Sequence, residues 1–259
     1  MRLTSFGDVL LDVIVRLEGP LVPGDDTRGE TRTGPGGQAA NVAAWASSLG
    51  AQARFVGKRG DDAAGELLTR ELAARGIEIA GPVSGRTGVV VSLTAGGDRT
   101  LASDRGSAPE LGPHELDDAW FDCDVLHVSG YALDREPIAS AAERAARTAR
   151  VGGATLSLDV SAWSLVDDRY RERARALAPD IVFATQHERE VLGALAARWV
   201  VKRGAGGMTV DGRDWPALPV RVVDTTGAGD ALAAGFLVGG PELALEAAAR
   251  CCAQLGAMP

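Results

Sequence analysis

The chain has 259 residues and a net charge of −8, with three cysteines, two of them adjacent (Cys251 and Cys252). That length can bury the core of one α/β domain, and an acidic chain without a basic, aromatic-interleaved run argues against a nucleic-acid partner. No apolar run reaches the roughly 18 residues of a membrane span, no basic segment leads into an apolar one at the N-terminus, and the odd cysteine count suits a reducing compartment, so the expectation is a soluble cytoplasmic enzyme.

Leu3 to Phe6 reads as a short strand ending at Gly7-Asp8, and Leu10 to Leu17 as a second strand interrupted by Asp12. A lone carboxylate there is commonly a strand-end residue with local hydrogen bonds, but its place after the first strand makes it a ligand candidate. Residues 19–35 are rich in Gly, Pro, Thr and charge and read as an exposed ribbon, strand-like from Thr27 to Thr33. Gly36-Gly37 opens an alanine-rich helix to Leu49, closed by Gly50. Asn41 lies one turn after Gly37, so it can face whatever the glycines expose; taken alone it reads as a solvent-facing polar residue. Ala53 to Val56 is a strand and Ala63 to Arg75 a helix. Thr87 to Thr94 and Thr100 to Ser103 form a hairpin about Gly96-Gly97. Joined to residues 12–17 and 28–33, that hairpin predicts a small β lid over about 12–34 and 87–104, within one domain spanning 1–259.

Beyond Pro113 the pattern becomes regular. Strands at Val125–Val128, Ala154–Asp159, Asp180–Phe183 and Trp199–Lys202 alternate with helices at Glu136–Arg150, Asp168–Leu177 and Gln186–Ala196. Such alternation predicts an α/β fold, a doubly wound, mostly parallel sheet flanked by helices. Ligands of these sheets bind at the carboxyl ends of the strands, where Asp159, Thr185 to Glu188, Gly204 and Asp230 fall. His127 reads as a core histidine and His187 as a helix-surface one. Trp163 is either core or a stacking surface.

Leu218 to Val223 reads as a strand and Ala231 to Val238 as a buried helix, joined by Asp224-Thr225-Thr226-Gly227-Ala228-Gly229-Asp230. Two glycines around an alanine let backbone amides at a helix N-terminus approach an anion closely. Asp230 then sits beside that anion hole, where a carboxylate is useful as the acceptor of a proton from an attacking hydroxyl. Taken alone, Gly-Ala-Gly-Asp is equally a tight turn with an acid on the helix dipole. Neither a P-loop nor a dinucleotide fingerprint is present.

The whole stretch Asp224 to Asp230 resembles the C-terminal signature of the ribokinase/PfkB carbohydrate kinase family. Gly36-Gly37 followed by Asn41 is similar to its N-terminal signature, and Asp12 to its sugar-hydroxyl ligand. Val200 to Gly207 looks like its nucleotide-side strand and glycine turn. The resemblance covers nearly the whole chain. It implies an ATP-dependent sugar kinase with Asp230 as base and the Gly227, Ala228 and Gly229 amides on the transferred phosphoryl group. It implies Asp12, Gly36, Gly37, Asn41 and Arg105 on the acceptor, and Lys202, Gly204, Gly207, Thr226, Gly227 and Gly229 on ATP. Mg²⁺ is expected indirectly at Glu188, and K⁺ at Asp224 and Thr226. The family's N-x-x-E motif stands here as Thr185-Gln186-His187-Glu188, for which weakened magnesium handling is expected. The stretch from Glu190 to Trp199 is compressed, and fewer adenine contacts are expected near Pro259. The expected acceptors are ribose, fructose or a sugar acid such as 2-keto-3-deoxygluconate, with Arg105 open between a partner for an acceptor's carboxylate, a phosphoryl contact and a surface residue. A nucleoside kinase and a binding protein without turnover are the alternatives, and the lid's exposed edges suggest a homodimer.

Overall fold

The computed structural model describes every residue except 96 and 97. Nine strands form the main sheet: β1 (Arg2–Phe6), β4 (Gln52–Val56), β5 (Glu78–Ala80), β8 (Val125–Ser129), β9 (Thr155–Asp159), β10 (Ile181–Thr185), β11 (Arg198–Lys202), β12 (Met208–Val210) and β13 (Arg213–Trp215). Their order is β13-β12-β11-β10-β9-β8-β1-β4-β5. All pairs from β5 to β11 are parallel, and only β12 and β13 run antiparallel. The chain winds outward from β1 through β4 and β5, then returns to β8 on its other side. The strand order therefore reverses between β1 and β8, and a crevice opens at their carboxyl ends.

The flanking helices are α1 (Gln38–Ser48), α2 (Ala63–Ala74), α3 (Ile138–Val151), α4 (Asp168–Leu177), α5 (Gln186–Leu192), α6 (Ala228–Gly239) and α7 (Pro241–Cys252). They cover both faces of the sheet, which is why central strands such as Val125–Ser129 are buried throughout. One core cluster joins Trp45, Phe55, Leu68, Phe183 and Phe236. The other joins Phe6, Phe121, Leu126, Leu158 and Tyr170. Side-chain oxygens of Asp62, Asp167 and Thr185 cap α2, α4 and α5. Cys123, Cys251 and Cys252 are free thiols. No described helix is long and apolar enough to cross a membrane.

A second sheet of four strands stands apart, in the order β3 (Gly29–Gly36), β2 (Leu10–Leu17), β6 (Thr87–Ala95) and β7 (Asp98–Gly106). β2 and β6 are parallel, and β3 and β7 pair antiparallel on the outside. This is the expected lid, wider by two residues at most ends. The flanks of the Gly96-Gly97 hairpin pair as anticipated, while the turn lies outside the described residues.

Two expectations are corrected. Leu218 to Val223 forms no strand: Pro219 removes a ladder donor within it and Pro216 restricts the approach to it, and Leu218, Val220 and Val222 are exposed. Only its end is tied down, with Val223 N–H donating to Cys252 O at 2.8 Å. Helix α5 stops at Leu192 rather than Ala196, because Gly193 takes φ 82° immediately after it.

Candidate active site

The carboxyl ends of β1, β8, β9 and β11, the inner face of the lid and the start of α6 enclose a cavity of about 710 Å³. Asp8, Asp12, Gly37, Asn41, Arg105, Lys202, Thr226, Gly227 and Asp230 line it. Eight of these nine were singled out in the sequence, although they come from segments more than 200 residues apart. On the lid, period-2 alternation turns Leu10, Asp12 and Ile14 of β2, Val90 and Ser92 of β6, and Leu101, Ser103 and Arg105 of β7 toward the cavity.

Glycine serves distinct purposes around this cavity. A Cβ on Gly36 would overlap the Asp12 carboxylate, so Gly36 gives that side chain its room. Gly37 has φ 95°, and a Cβ there would lie 2.7 Å from Asp8 O. Gly227 has φ 78° and would collide with Ala257, at 2.6 Å from its Cβ. A Cβ on Gly229 would meet Lys202 Nζ at 3.5 Å, so the ammonium faces the glycine turn. The Ala228 amide donates to Thr225 O at 3.2 Å and closes the turn, and Gly227 and Gly229 stand on either side of it at the start of α6. Asp224 fastens this loop: Oδ1 accepts from Thr226 N–H (2.9 Å) and Thr226 Oγ1–H (2.7 Å), and Oδ2 accepts from Gly256 N–H (3.1 Å).

Asp230, half-buried in the first turn of α6, accepts a hydrogen bond from Asn41 Nδ2 at 2.7 Å. Burial raises its pKa to about 7; the Asn41 bond opposes the rise, nearby Asp159 adds to it, Lys202 opposes it, and Asp8 adds to it. A carboxylate poised there near neutrality suits proton acceptance. Lys202 Nζ is held by both oxygens of Asp159, at 2.9 and 2.7 Å, and Asp159 is 1% exposed. Burial works against the ammonium, but Asp159, Glu188 and Asp230 outweigh it, and its pKa lies above the ordinary lysine value.

Asp8 was legible only as part of Gly-Asp after β1. It pairs with Arg105, whose guanidinium also lies 3.4 Å over the Tyr131 ring. Gln38 was likewise missed; its Oε1 accepts from the hydroxyls of Ser129 and Ser161, both at 2.6 Å. Asp159 was read as a strand-end residue without its lysine. No sequence spacing could have revealed these three contacts, since each joins segments far apart in the chain.

Other expected site residues lie off the cavity. Glu188 is 7% exposed and forms a capping box with Thr185: Thr185 N–H donates to Glu188 Oε2 (2.7 Å), and Glu188 N–H to Thr185 Oγ1 (3.2 Å). Gly204 is exposed in the turn after β11, and Gly207 is buried at φ 85° where a Cβ would strike Trp215 O. His127 is a core histidine, its Nδ1 2.9 Å from Ser157 Oγ and its pKa pushed down to about 4 by burial. Trp163 is 55% exposed and meets exposed His187 edge-on at 5.1 Å, which removes the core alternative.

The sequence pattern described as pfkB family carbohydrate kinase matches residues 2–258. An ATP-dependent ribose-1-phosphate kinase from Halopiger xanaduensis is 33% identical over 97% of this chain and 90% of its own length. Fructokinase-1 of Oryza sativa is 33% identical over 90% of this chain and 81% of its own. The crystal structure of adenosine kinase from Sinorhizobium meliloti superposes with a TM-score of 0.88 at 27% identity, covering 100% of this chain and 95% of that one.

Proposed function

Because the chain belongs to the pfkB family of carbohydrate kinases, and so is a phosphotransferase with an alcohol group as acceptor, we propose that it moves the γ-phosphoryl group of ATP onto a hydroxyl of a small sugar or sugar acid. The acceptors in view are of the ribose, fructose and 2-keto-3-deoxygluconate types. The observation that carries this reading is Asp230, a carboxylate with a pKa near 7 between the Gly227–Gly229 turn and the lid-covered end of one cavity.

Asp230 accepts the acceptor's proton as the acceptor oxygen bonds to the γ-phosphorus; the bond from phosphorus to the β-γ bridging oxygen breaks, and ADP leaves. The Gly227 and Gly229 amides and the Lys202 ammonium hold the charge of the transferred group, with Ala228 closing the turn that aims them. Asp12, Gly37, Asn41 and Arg105 hold the acceptor, with Gly36 giving Asp12 its place. Thr226, Gly204 and Gly207 belong to the nucleotide side. Among the described residues no three His, Cys, Asp or Glu side chains cluster as a metal site. Glu188 is the residue that would hold Mg²⁺ indirectly, and the ion would neutralise charge on the nucleotide phosphates. The capping box keeps Glu188 in place without the family's asparagine, so Thr185 is compatible with this role. K⁺ is assigned to Asp224 and Thr226, and a homodimer to the open lid edges at β3 and β7.

ATP turnover with Mg²⁺, with and without K⁺, against sugars, sugar acids and nucleosides tests the proposal. Absence of turnover with every acceptor would sink it. The adenosine kinase superposition favours a nucleoside acceptor as the second reading, and turnover of adenosine in place of sugars would select it. Light scattering tests the dimer, and a monomer would overturn that assignment.

A further inference from the structure

Charge on the cavity wall is already matched from within the chain. Three cations line the cavity, and each has its own carboxylate: Arg105 pairs with Asp8, Arg135 with Asp134 at 2.9 Å, and Lys202 with Asp159 at 2.7 Å. Asp12, Asp104 and Asp230 add three more acidic groups to the lining, Asp104 being paired with Arg86 outside it. The Asp8–Arg105 pair is the decisive one, because its side chains are only 4% and 18% exposed. Arg105 is held on one edge by Asp8 and on one face by Tyr131. An anionic acceptor would meet a guanidinium whose charge Asp8 already matches, and drawing Arg105 fully onto itself would leave the Asp8 carboxylate buried without a counter-charge.

Hydrogen-bond capacity points the same way. Asp8 Oδ1 and Asn41 Oδ1 are buried and have no partner within the chain, and both residues line the cavity. Buried acceptors unmatched within the chain are satisfied by donors from a ligand or from water. A hydroxyl laid against these two oxygens donates to them, whereas an ionised carboxylate or phosphate in the same place only accepts and leaves them unmatched. Such a site rejects a ligand that leaves its polar groups unpaired far more strongly than one differing in bulk.

We infer that the acceptor is an uncharged polyhydroxyl compound, and that Asp8 is the residue that sets this choice by occupying Arg105 and by presenting a second carboxylate oxygen to an acceptor hydroxyl. This rests on the kinase reading for the identity of the cavity as an acceptor site, and it narrows that reading by excluding sugar acids and sugar phosphates. Arg105 then positions Asp8 rather than binding an acceptor's negative charge.

Calorimetric titration without ATP separates the two claims. The purified protein is titrated with fructose, ribose, adenosine, 2-keto-3-deoxygluconate and ribose 1-phosphate, and the series is repeated with Asp8→Asn. At least one neutral compound is expected to bind about 100-fold more tightly than either anion, and Asp8→Asn to narrow or reverse that preference by about tenfold or more, as the released guanidinium meets the anion. Binding of either anion as tightly as the neutral compounds by the unaltered protein would overturn the inference, as would failure of every neutral compound to bind. A folded Asp8→Asn variant with an unchanged preference would refute the role of Asp8. If the variant does not fold, the titrations of the unaltered protein still decide the acceptor's charge. Neutral sugars that bind but are never phosphorylated would sink the kinase reading and leave this one standing.

Discussion

The hydrogen bond from Asn41 Nδ2 to Asp230 Oδ2 is the most direct handle on the proposed catalysis, because it stabilises the ionised form of the proposed base and should be readable in a pH profile. With a pKa of about 7, Asp230 is half ionised at pH 7, and its ionised fraction falls about tenfold per pH unit below that. kcat/KM should therefore rise with pH through an acid limb near 7. A hydrogen bond to a charged group contributes about 1.5–3 kcal/mol, and one pKa unit corresponds to about 1.4 kcal/mol. Asn41→Ala removes a bond that lowers the Asp230 pKa, so the limb should move upward by about one to two units, toward 8–9. The assay is ATP turnover between pH 5 and 9.5 at saturating nucleotide, comparing the unaltered chain, Asn41→Ala and Asp230→Asn. Acceptor KM will also rise in Asn41→Ala, but loss of an acceptor contact alone scales the profile without displacing it. Asp230→Asn should lose about 10²–10⁴ in rate and the limb with it. An Asn41→Ala limb that coincides with the unaltered one, or lies below it, would refute the assignment of Asp230 as the titrating base.

Four further outcomes are expected. Asp230→Asn should raise Tm at pH 8 by about 5 °C and leave it unchanged near pH 4, since a carboxyl whose folded pKa is raised loses stability as pH climbs from the unfolded carboxylate value through 7; calorimetric melts at both pH values check the sign. Gly36→Ala should push the Asp12 carboxylate aside and raise acceptor KM about tenfold or more, with little change in the ATP KM. Lys202→Met strands the buried Asp159 carboxylate and should destabilise the fold by about 3–5 kcal/mol in urea titration. Thr185→Ala should cost about 0.5–2 kcal/mol by loss of the α5 cap, whereas Thr185→Asn should be neutral within a few tenths, which a pair of denaturation curves resolves.

The parts of this site that were legible in the sequence are those written in a few consecutive residues. Asp224 to Asp230 carries its own geometry, because a glycine at φ 78° and a helix start leave little freedom in where the amides and the acid end up. Gly36-Gly37 with Asn41 is a similar case: one helical turn fixes the distance between the glycine opening and the amide side chain. Strand and helix order followed from hydrophobic period, and the doubly wound topology followed from that order. Leu218 to Val223 misled for a physical reason. β-Branched residues favour an extended backbone, but a strand also needs a neighbour, and two prolines weaken its claim to one.

Asp8 and Tyr131 escaped, and Asp159 was placed at a strand end without its lysine, because what matters about them is whom they meet. Nothing local distinguishes an aspartate after a strand from a turn residue, and Asp8 acquires its meaning only when the lid brings Arg105 over the β1 end. The same step changes what Arg105 signifies: alone in the sequence it is open between a receptor for an acceptor's carboxylate, a phosphoryl contact and a surface residue, and beside Asp8 it is already neutralised. On the proposed reading, the chemistry of transfer is encoded in local signatures, whereas the choice of acceptor is set by pairings between the lid and the main sheet. Those pairings can change one residue at a time while the anion turn and the base stay fixed.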